Sequence, residues 1–221
     1  MAGFESSPVI SVVERIPRKS EYLIRFSDGS EIRVLEEHLG KFGLVEGACV
    51  DQVVIAEIGF AYAYGKARQA VLRLLKVRPR TESELRQRFR SKGIPGDVSD
   101  RLVADLKAQG LVDDRLFARL WIEEKISRGT HGKKLIRRQL QKRGINAEVL
   151  EQELARMYSD AKEIEVAKRL ALKRLSRLKD IKTKTTEQRL YNHLVMRGFA
   201  SDVASEATGY AIESLIGEGE A

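Results

Sequence analysis

A basic residue, a glycine and a large apolar residue recur in that order three times from residue 92 onward, at Lys92-Gly93-Ile94, Arg143-Gly144-Ile145 and Arg197-Gly198-Phe199. Counted from each glycine, positions −8, −4, +1 and +5 are apolar in every copy: Leu85, Phe89, Ile94 and Val98; Ile136, Leu140, Ile145 and Val149; Leu190, Leu194, Phe199 and Val203. The glycines stand 51 and 54 residues apart. Self-similarity at this period means like helical units stacked on their neighbours, and an array of that kind presents a long surface rather than one catalytic cleft. The spacing therefore predicts a mainly α fold built as a tandem array of three three-helix, helix-turn-helix-like repeats.

The first 60 residues have a different texture. Val9–Val13 and Glu21–Phe26 are β-branched and aromatic runs, and Asp28-Gly29 joins the second to Glu31–Leu35. Asp-Gly between alternating segments is a hairpin signal, because the turn needs positive φ. Glu36–Phe42 reads as a short helix stopped at Gly43, while Val50–Ile58 fits strand or helix equally. These signals predict a small β-rich N-terminal module over 1–60, with Gly59–Gly65 as the joint.

From Lys66 the pattern is helical, and the repeats are placed at 61–110, 111–159 and 160–217. In the first, Ala67, Ala70, Val71, Leu74 and Leu75 form one stripe. Thr81-Glu82-Ser83-Glu84 is a capping box for the second helix, and Val98, Leu102, Val103 and Leu106 line the third, which stops at Gly110. Asp113-Asp114 caps the second repeat, whose first helix carries Leu116, Phe117, Leu120, Trp121 and Ile122. Ser127–Gly132 is read as a loop, Lys133–Arg143 as the second helix, and Val149, Leu150, Leu154 and Met157 as the face of the third. The last repeat begins near Ala161, and its first connection is longer and basic, up to a cap at Thr185-Thr186-Glu187-Gln188. Helices at 187–197 and 201–215 complete it.

Charge is unevenly placed. The net value is +8, yet residues 1–60 hold six Lys/Arg against ten Asp/Glu, so the remainder carries +12. The excess gathers in three clusters. Residues 125–147 hold eight Lys/Arg and no acid, residues 66–92 ten against two, and residues 162–189 ten against four. Around the second helix of the second repeat, Lys134, Arg137, Arg138 and Gln141 lie opposite Ile136 and Leu140. The partner of such a face is a polyanion or an acidic protein surface, and the bland reading is a solvated helix face.

The catalytic inventory is thin. His38, His131 and His193 have no metal-ligand spacing, and Cys49 is alone, which suits a reducing cytosol and rules out an internal disulfide. Arg128–Lys133 lacks the glycine spacing and the preceding strand of a phosphate loop. No carboxylate pair or nucleophile–base pair stands out, so no catalytic, metal-binding or cofactor-binding residue is expected, and no cofactor. With no secretory leader and no long apolar run, the chain is expected in the cytoplasm, away from membranes.

Helix-turn-helix readers of duplex DNA are the rival reading of the basic helices. The starts of the third helices are acidic, at Asp97 and Asp100 and again at Glu148, which disfavours base reading though not phosphate contact. Trp121 and Phe117 sit one turn apart and suit core packing better than base stacking.

The stretches Gly110-Leu111-Val112-Asp113-Asp114-Arg115-Leu116-Phe117-Ala118, Arg128-Gly129-Thr130-His131-Gly132 and Ile136-Arg137-Arg138-Gln139-Leu140 through Arg143-Gly144-Ile145 resemble the signature of the bacterial RecX regulatory family. Glu84-Leu85-Arg86 through Lys92-Gly93-Ile94 and Leu194 through Gly198-Phe199 fit as well, so the likeness spans roughly 66–210 and is loosest in the third repeat. The acidic N-terminal module resembles the β-rich extension that some members carry.

The resemblance implies tandem three-helix repeats that bind the RecA recombinase on single-stranded DNA, lodge in the filament groove, and suppress its recombinase and ATPase activity or limit filament growth. A curved, basic, elongated surface is what that groove requires. The implied binding face comprises Arg86, Arg90 and Lys92 of the first repeat and Lys133, Lys134, Arg137, Arg138, Lys142 and Arg143 of the second. Arg128, Lys173 and Arg174 join it from the adjoining basic clusters. The expected partners are the RecA filament and single-stranded DNA, contacted directly or through the filament, and a monomer needs the fewest assumptions.

Overall fold

All three repeat glycines close a helix in the same way. In the computed structural model, which describes residues 7–178 and 183–218, Gly93, Gly144 and Gly198 have φ of +66°, +78° and +85°. Each glycine amide donates to the carbonyl three residues back. The next amide then donates to the carbonyl five back: Ile94 to Phe89 at 3.1 Å, Ile145 to Leu140 at 3.1 Å and Phe199 to Leu194 at 3.2 Å. This paired closure satisfies the last helical carbonyls and brings the apolar residues at −4 and +1 together. Positions −8 and +5 then extend the buried face into the helices on either side. Ten of the twelve apolar repeat residues are buried, and Ile94 and Val149 are half-buried.

The elements run β1 (Ile10–Arg15), β2 (Glu21–Phe26), β3 (Glu31–Leu35), α1 (Glu36–Lys41), α2 (Gln52–Val77), α3 (Glu82–Ser91), α4 (Gly96–Ala108), α5 (Asp114–Arg128), α6 (Lys133–Lys142), α7 (Ala147–Met157), α8 (Asp160–Leu175), α9 (Thr183–Met196) and α10 (Ser201–Glu218). The fold is thus mainly α, with a small N-terminal sheet. The described chain forms two compact units: residues up to Pro79 with Leu85–Leu111, and Arg80–Glu84 with residues from Val112 on.

In the first unit the strands form an antiparallel meander in the order β1-β2-β3. Gly29, at φ +83°, turns the β2–β3 hairpin, and the Asp28 carboxylate accepts the Ser30 amide at 2.8 Å. Ile10, Ile24, Phe26, Val34, Leu44, Val50 and Ile58 form the core beneath the sheet. Helix α2 starts where Asp51 accepts the Val54 amide at 2.8 Å and continues unbroken for 26 residues. That corrects the joint expected at Gly59–Gly65. Gly65 is no breaker here; a Cβ on it would strike the Leu35 side chain, so its absence lets β3 press against the helix. Glu21 on β2 anchors the contact, accepting Lys66 Nζ at 2.6 Å and the Tyr62 hydroxyl at 2.9 Å. The Lys66 ammonium holds the Glu21 carboxyl below its usual range against the opposing effect of burial.

In the second unit one apolar cluster runs through α5 to α10. Ala118, Ile122 and Ile126 recur every fourth residue along α5, and Ala167 and Ala171 on α8 share the core with Ala204, Ala207 and Ala211 on α10. These small side chains suit the close packing of α8 on α10. Three segments depart from the pattern their residues predict. Helix α5 extends to Arg128 with Gly129 as its left-handed cap, so the loop after it begins later than Ser127. Leu116 and Leu120 are 44% and 47% exposed, because five apolar residues within seven positions cover more arc than one helix face can bury. Helix α9 begins at Thr183, which places Thr185 and Thr186 inside it rather than at its cap. Of the basic connection before α9, residues 179–182 lie outside the described residues.

Candidate functional site

The most basic helix, α6, owes its orientation to groups outside itself. Its N-cap is Gly132, which has no side chain to satisfy the first amides. Three acceptors from the third repeat do so instead. The Gly132 amide donates to the Arg197 carbonyl at 2.9 Å and the Lys134 amide to the Gly198 carbonyl at 3.0 Å, while the Lys133 amide donates to Glu163 Oε1 at 2.7 Å. On its inner side Ile136 and Leu140 are fully buried.

A related junction involves the start of α3, within the second unit. Thr81 Oγ1 accepts the Glu84 amide at 3.1 Å, as the capping box predicts, and also donates to the Arg143 carbonyl at 2.7 Å. The Glu84 carboxylate receives Arg143 Nη1 at 2.5 Å. A Cβ on Gly144 would collide with Ser83, and one on Gly198 with the backbone of Leu135. Nothing lies within 4 Å of such an atom on Gly93. The second and third glycines therefore serve both the turn and a close approach, and the first serves the turn alone.

The twelve cations of the predicted face fall into two groups. Five have internal partners. Arg86 pairs with Asp100 at 2.5 Å and Arg128 with Glu124 at 2.9 Å. Lys133 pairs with Asp160 at 2.5 Å and lies 3.8 Å from Glu163. Arg137 grips Glu151 through two bonds of 2.5 and 2.8 Å. Arg143 adds to its Glu84 bond a position 4.2 Å from the Trp121 ring centre and 5.7 Å from that of Phe117. The other seven, Arg90, Lys92, Lys134, Arg138, Lys142, Lys173 and Arg174, are exposed and make no ion pair among the described residues. Lys134, Arg138 and Lys142 fall at every fourth position of α6, one cation per turn, opposite Ile136 and Leu140.

The internal acids were invisible to a count made along one segment. Residues 125–147 contain no acid, but α7 and α8 bring Glu151, Asp160 and Glu163 to α6 from 14 to 30 residues away. The same holds for Glu153, buried on α7 and bonded by Arg115 at 2.9 Å, Arg156 at 3.0 Å and Arg119 at 3.4 Å. Burial raises the Glu153 carboxyl, and the arginine hydrogen bonds more than offset it, leaving it below the ordinary value. Glu163 behaves oppositely: burial raises it, Asp160 and Asp202 add to the rise, and the bond from the Lys133 amide does not cancel them. Trp121 is half-buried on Phe117, rings 6.0 Å apart and 12° from parallel, so it belongs to the core margin. Among the described residues, no cluster of three or more His, Cys, Asp or Glu could hold a metal ion, and no helix is long and apolar enough to cross a membrane.

These features define a protein of tandem three-helix repeats with a cationic outer helix face and a small β module. The first and second three-helix domains of RecX match residues 67–106 and 113–154. Regulatory protein RecX of Amycolatopsis mediterranei is 31% identical over 166 residues, covering 73% of this chain and 94% of that protein. Its counterpart in Leuconostoc mesenteroides is 29% identical over 187 residues, covering 85% and 70%. A crystal structure of regulatory protein RecX matches at a TM-score of 0.64 and 28% identity, covering 89% of this chain and 96% of that one. The chain belongs to the RecX family, and its role is that of a RecX regulatory protein.

Proposed function

We propose that this chain regulates a RecA-type recombinase by binding its filament on single-stranded DNA, and that it lowers recombinase and ATPase activity without catalysing a reaction itself. The observation that carries this reading is the row of Lys134, Arg138 and Lys142, exposed and without internal carboxylate partners, on a helix rigidly backed by Ile136 and Leu140. Cations held one per turn on a fixed helix can face the acidic or phosphate groups of a long polymer without first giving up an internal bond. Lys173 and Arg174 are proposed to bind from the same unit, and Arg90 and Lys92 from the first unit. Lys133, Arg137 and Arg143 bond acids of other segments and so hold α6 in place, whereas Arg128 pairs with Glu124 of its own helix and Arg86 with Asp100 in the first unit. The organising units are a β-rich N-terminal module and three repeats, the module and the first repeat sharing α2, with the second and third repeats over 111–159 and 160–217. The chain works as a monomer in the cytoplasm.

The test is ATP hydrolysis by RecA on single-stranded DNA with increasing amounts of the protein. Inhibition should weaken as salt rises from 50 to about 200 mM, as electrostatic attachment requires. An unchanged rate at saturating protein removes the inhibitory reading, and tight sequence-selective binding to duplex DNA without RecA would favour a helix-turn-helix regulator instead.

A further inference from the structure

The first unit contains a cleft of about 730 Å³ that the filament reading leaves unused. Its floor is α2, where Phe60, Tyr64 and Arg68 occupy successive turns and line the opening. The two rings lie 17° from parallel with centres 6.3 Å apart, and both are only half-buried. Lys41 and His38 line the cleft from α1. Among the described residues Lys41 and Arg68 make no ion pair within 4 Å and His38 Nδ1 has no hydrogen-bond partner; Lys41 lies 5.0 Å from the Phe42 ring centre, and Arg68 is attracted to Asp105 without bonding it. Of the acids present, Asp105 is already taken: Tyr64 donates to it at 2.8 Å and Arg101 at 3.1 Å. That bond also fixes the Tyr64 ring. Glu37 is the other acid, 3.7 Å from His38.

We propose that this cleft binds a nucleotide unit, with its base on the Phe60–Tyr64 ring pair and its phosphate on Arg68 and Lys41. A volume of this size suits a ligand of several hundred cubic ångströms. Half-exposed parallel rings followed one turn later by a guanidinium in no direct ion pair offer a planar base one surface and its anion another. An acidic peptide would engage the cations but leave the ring faces wet, and an apolar ligand would leave Arg68 and Lys41 unmatched. The unit can come from a free nucleotide or from single-stranded nucleic acid, since both present the same base and phosphate. The site stands apart from α6 in sequence and does not depend on the filament reading.

Fluorescence anisotropy of labelled (dT)20 with the full chain tests this, using Phe60→Ala, Arg68→Glu and, for comparison, Lys134→Glu, each checked for helix content by circular dichroism. Phe60→Ala and Arg68→Glu should each weaken binding about tenfold, the scale of one lost base stack. Should Phe60→Ala lose helix content, Arg68→Glu decides alone. Displacement of the probe by AMP supports a free nucleotide as the natural source, and displacement by unlabelled (dT)20 alone supports a strand. The proposal is overturned if the probe does not bind, or if only Lys134→Glu weakens it. Displacement by poly-glutamate as readily as by (dT)20 also overturns it, since that marks an acidic-peptide surface.

Discussion

The Lys134 amide donates to the Gly198 carbonyl at 3.0 Å, joining the start of α6 to the turn that ends α9. A helix without a capping side chain of its own is thus closed by the chain-reversal motif of the following repeat. The repeat glycine is then more than a helix stop. It carries a carbonyl to the neighbour's exposed amides, and its missing side chain leaves room for that approach. The cations of α6 inherit their direction from this junction.

Gly198→Ala and Gly93→Ala separate the two roles. Both place Ala at positive φ, which costs about 1–2 kcal/mol, and for Gly93 that is the whole effect. At Gly198 the added methyl also meets the Leu135 backbone, so the loss should exceed that of Gly93→Ala by about 1–3 kcal/mol. Urea denaturation of the two variants measures the difference; equal losses would show that the junction carries no energetic weight.

Adjacent arginines on α6 should respond differently to charge reversal. Arg138→Glu should leave stability within about 0.5 kcal/mol and weaken filament inhibition about tenfold. Arg137→Glu places like charges against Glu151; the original pair is partly exposed, so the stability loss should stay near 1 kcal/mol. Denaturation midpoints read beside RecA ATPase inhibition check both. Full inhibition by Arg138→Glu would reduce the face to a solvated one.

Two buried glutamates should show opposite pH behaviour. Glu153 has a folded pKa below the ordinary 4.5. Its stabilisation is complete above that value and fades as pH falls through the folded pKa. Glu163 has a folded pKa above 4.5, so its contribution favours folding in acid and declines as pH rises through the raised value. At pH 7, Glu153→Gln should cost about 2 kcal/mol by unpairing three arginines, and Glu163→Gln should leave stability unchanged or higher. Urea titrations at pH 7 and pH 4 read both signs, and the Glu153→Gln deficit should narrow at the lower pH.

Arg143→Ala should destabilise by about 2 kcal/mol, because it removes both the Glu84 bond and one of two cations over Trp121, Lys125 remaining 4.2 Å from the ring centre. Trp121 is the only tryptophan, so its emission reports the change directly. An unaltered spectrum would mean that the guanidinium does not occupy the ring face in solution.

Much of the fold was legible from short-range chemistry. The Asp28-Gly29 hairpin, the Thr81 cap and the Asp113 cap are decided within three or four residues, and each forms as the residue types predict. The apolar spacing around Gly93, Gly144 and Gly198 likewise belongs to one helix turn and its closure. Local pattern misled where one residue type admits two uses. Gly65 reads as a break but serves a contact with Leu35, and Leu120 reads as core but faces solvent.

The repeat, its glycine turns and the basic character of α6 are each set by neighbours along the chain. Which of the twelve cations are unpaired was decided only by tertiary structure. Glu84, Glu151, Asp160 and Glu163 arrive from distant segments to neutralise Arg143, Arg137 and Lys133, and the alignment of buried faces selects those partners. Lys134, Arg138 and Lys142 stay open to solvent because burial of Ile136 and Leu140 turns them away from every one of these acids.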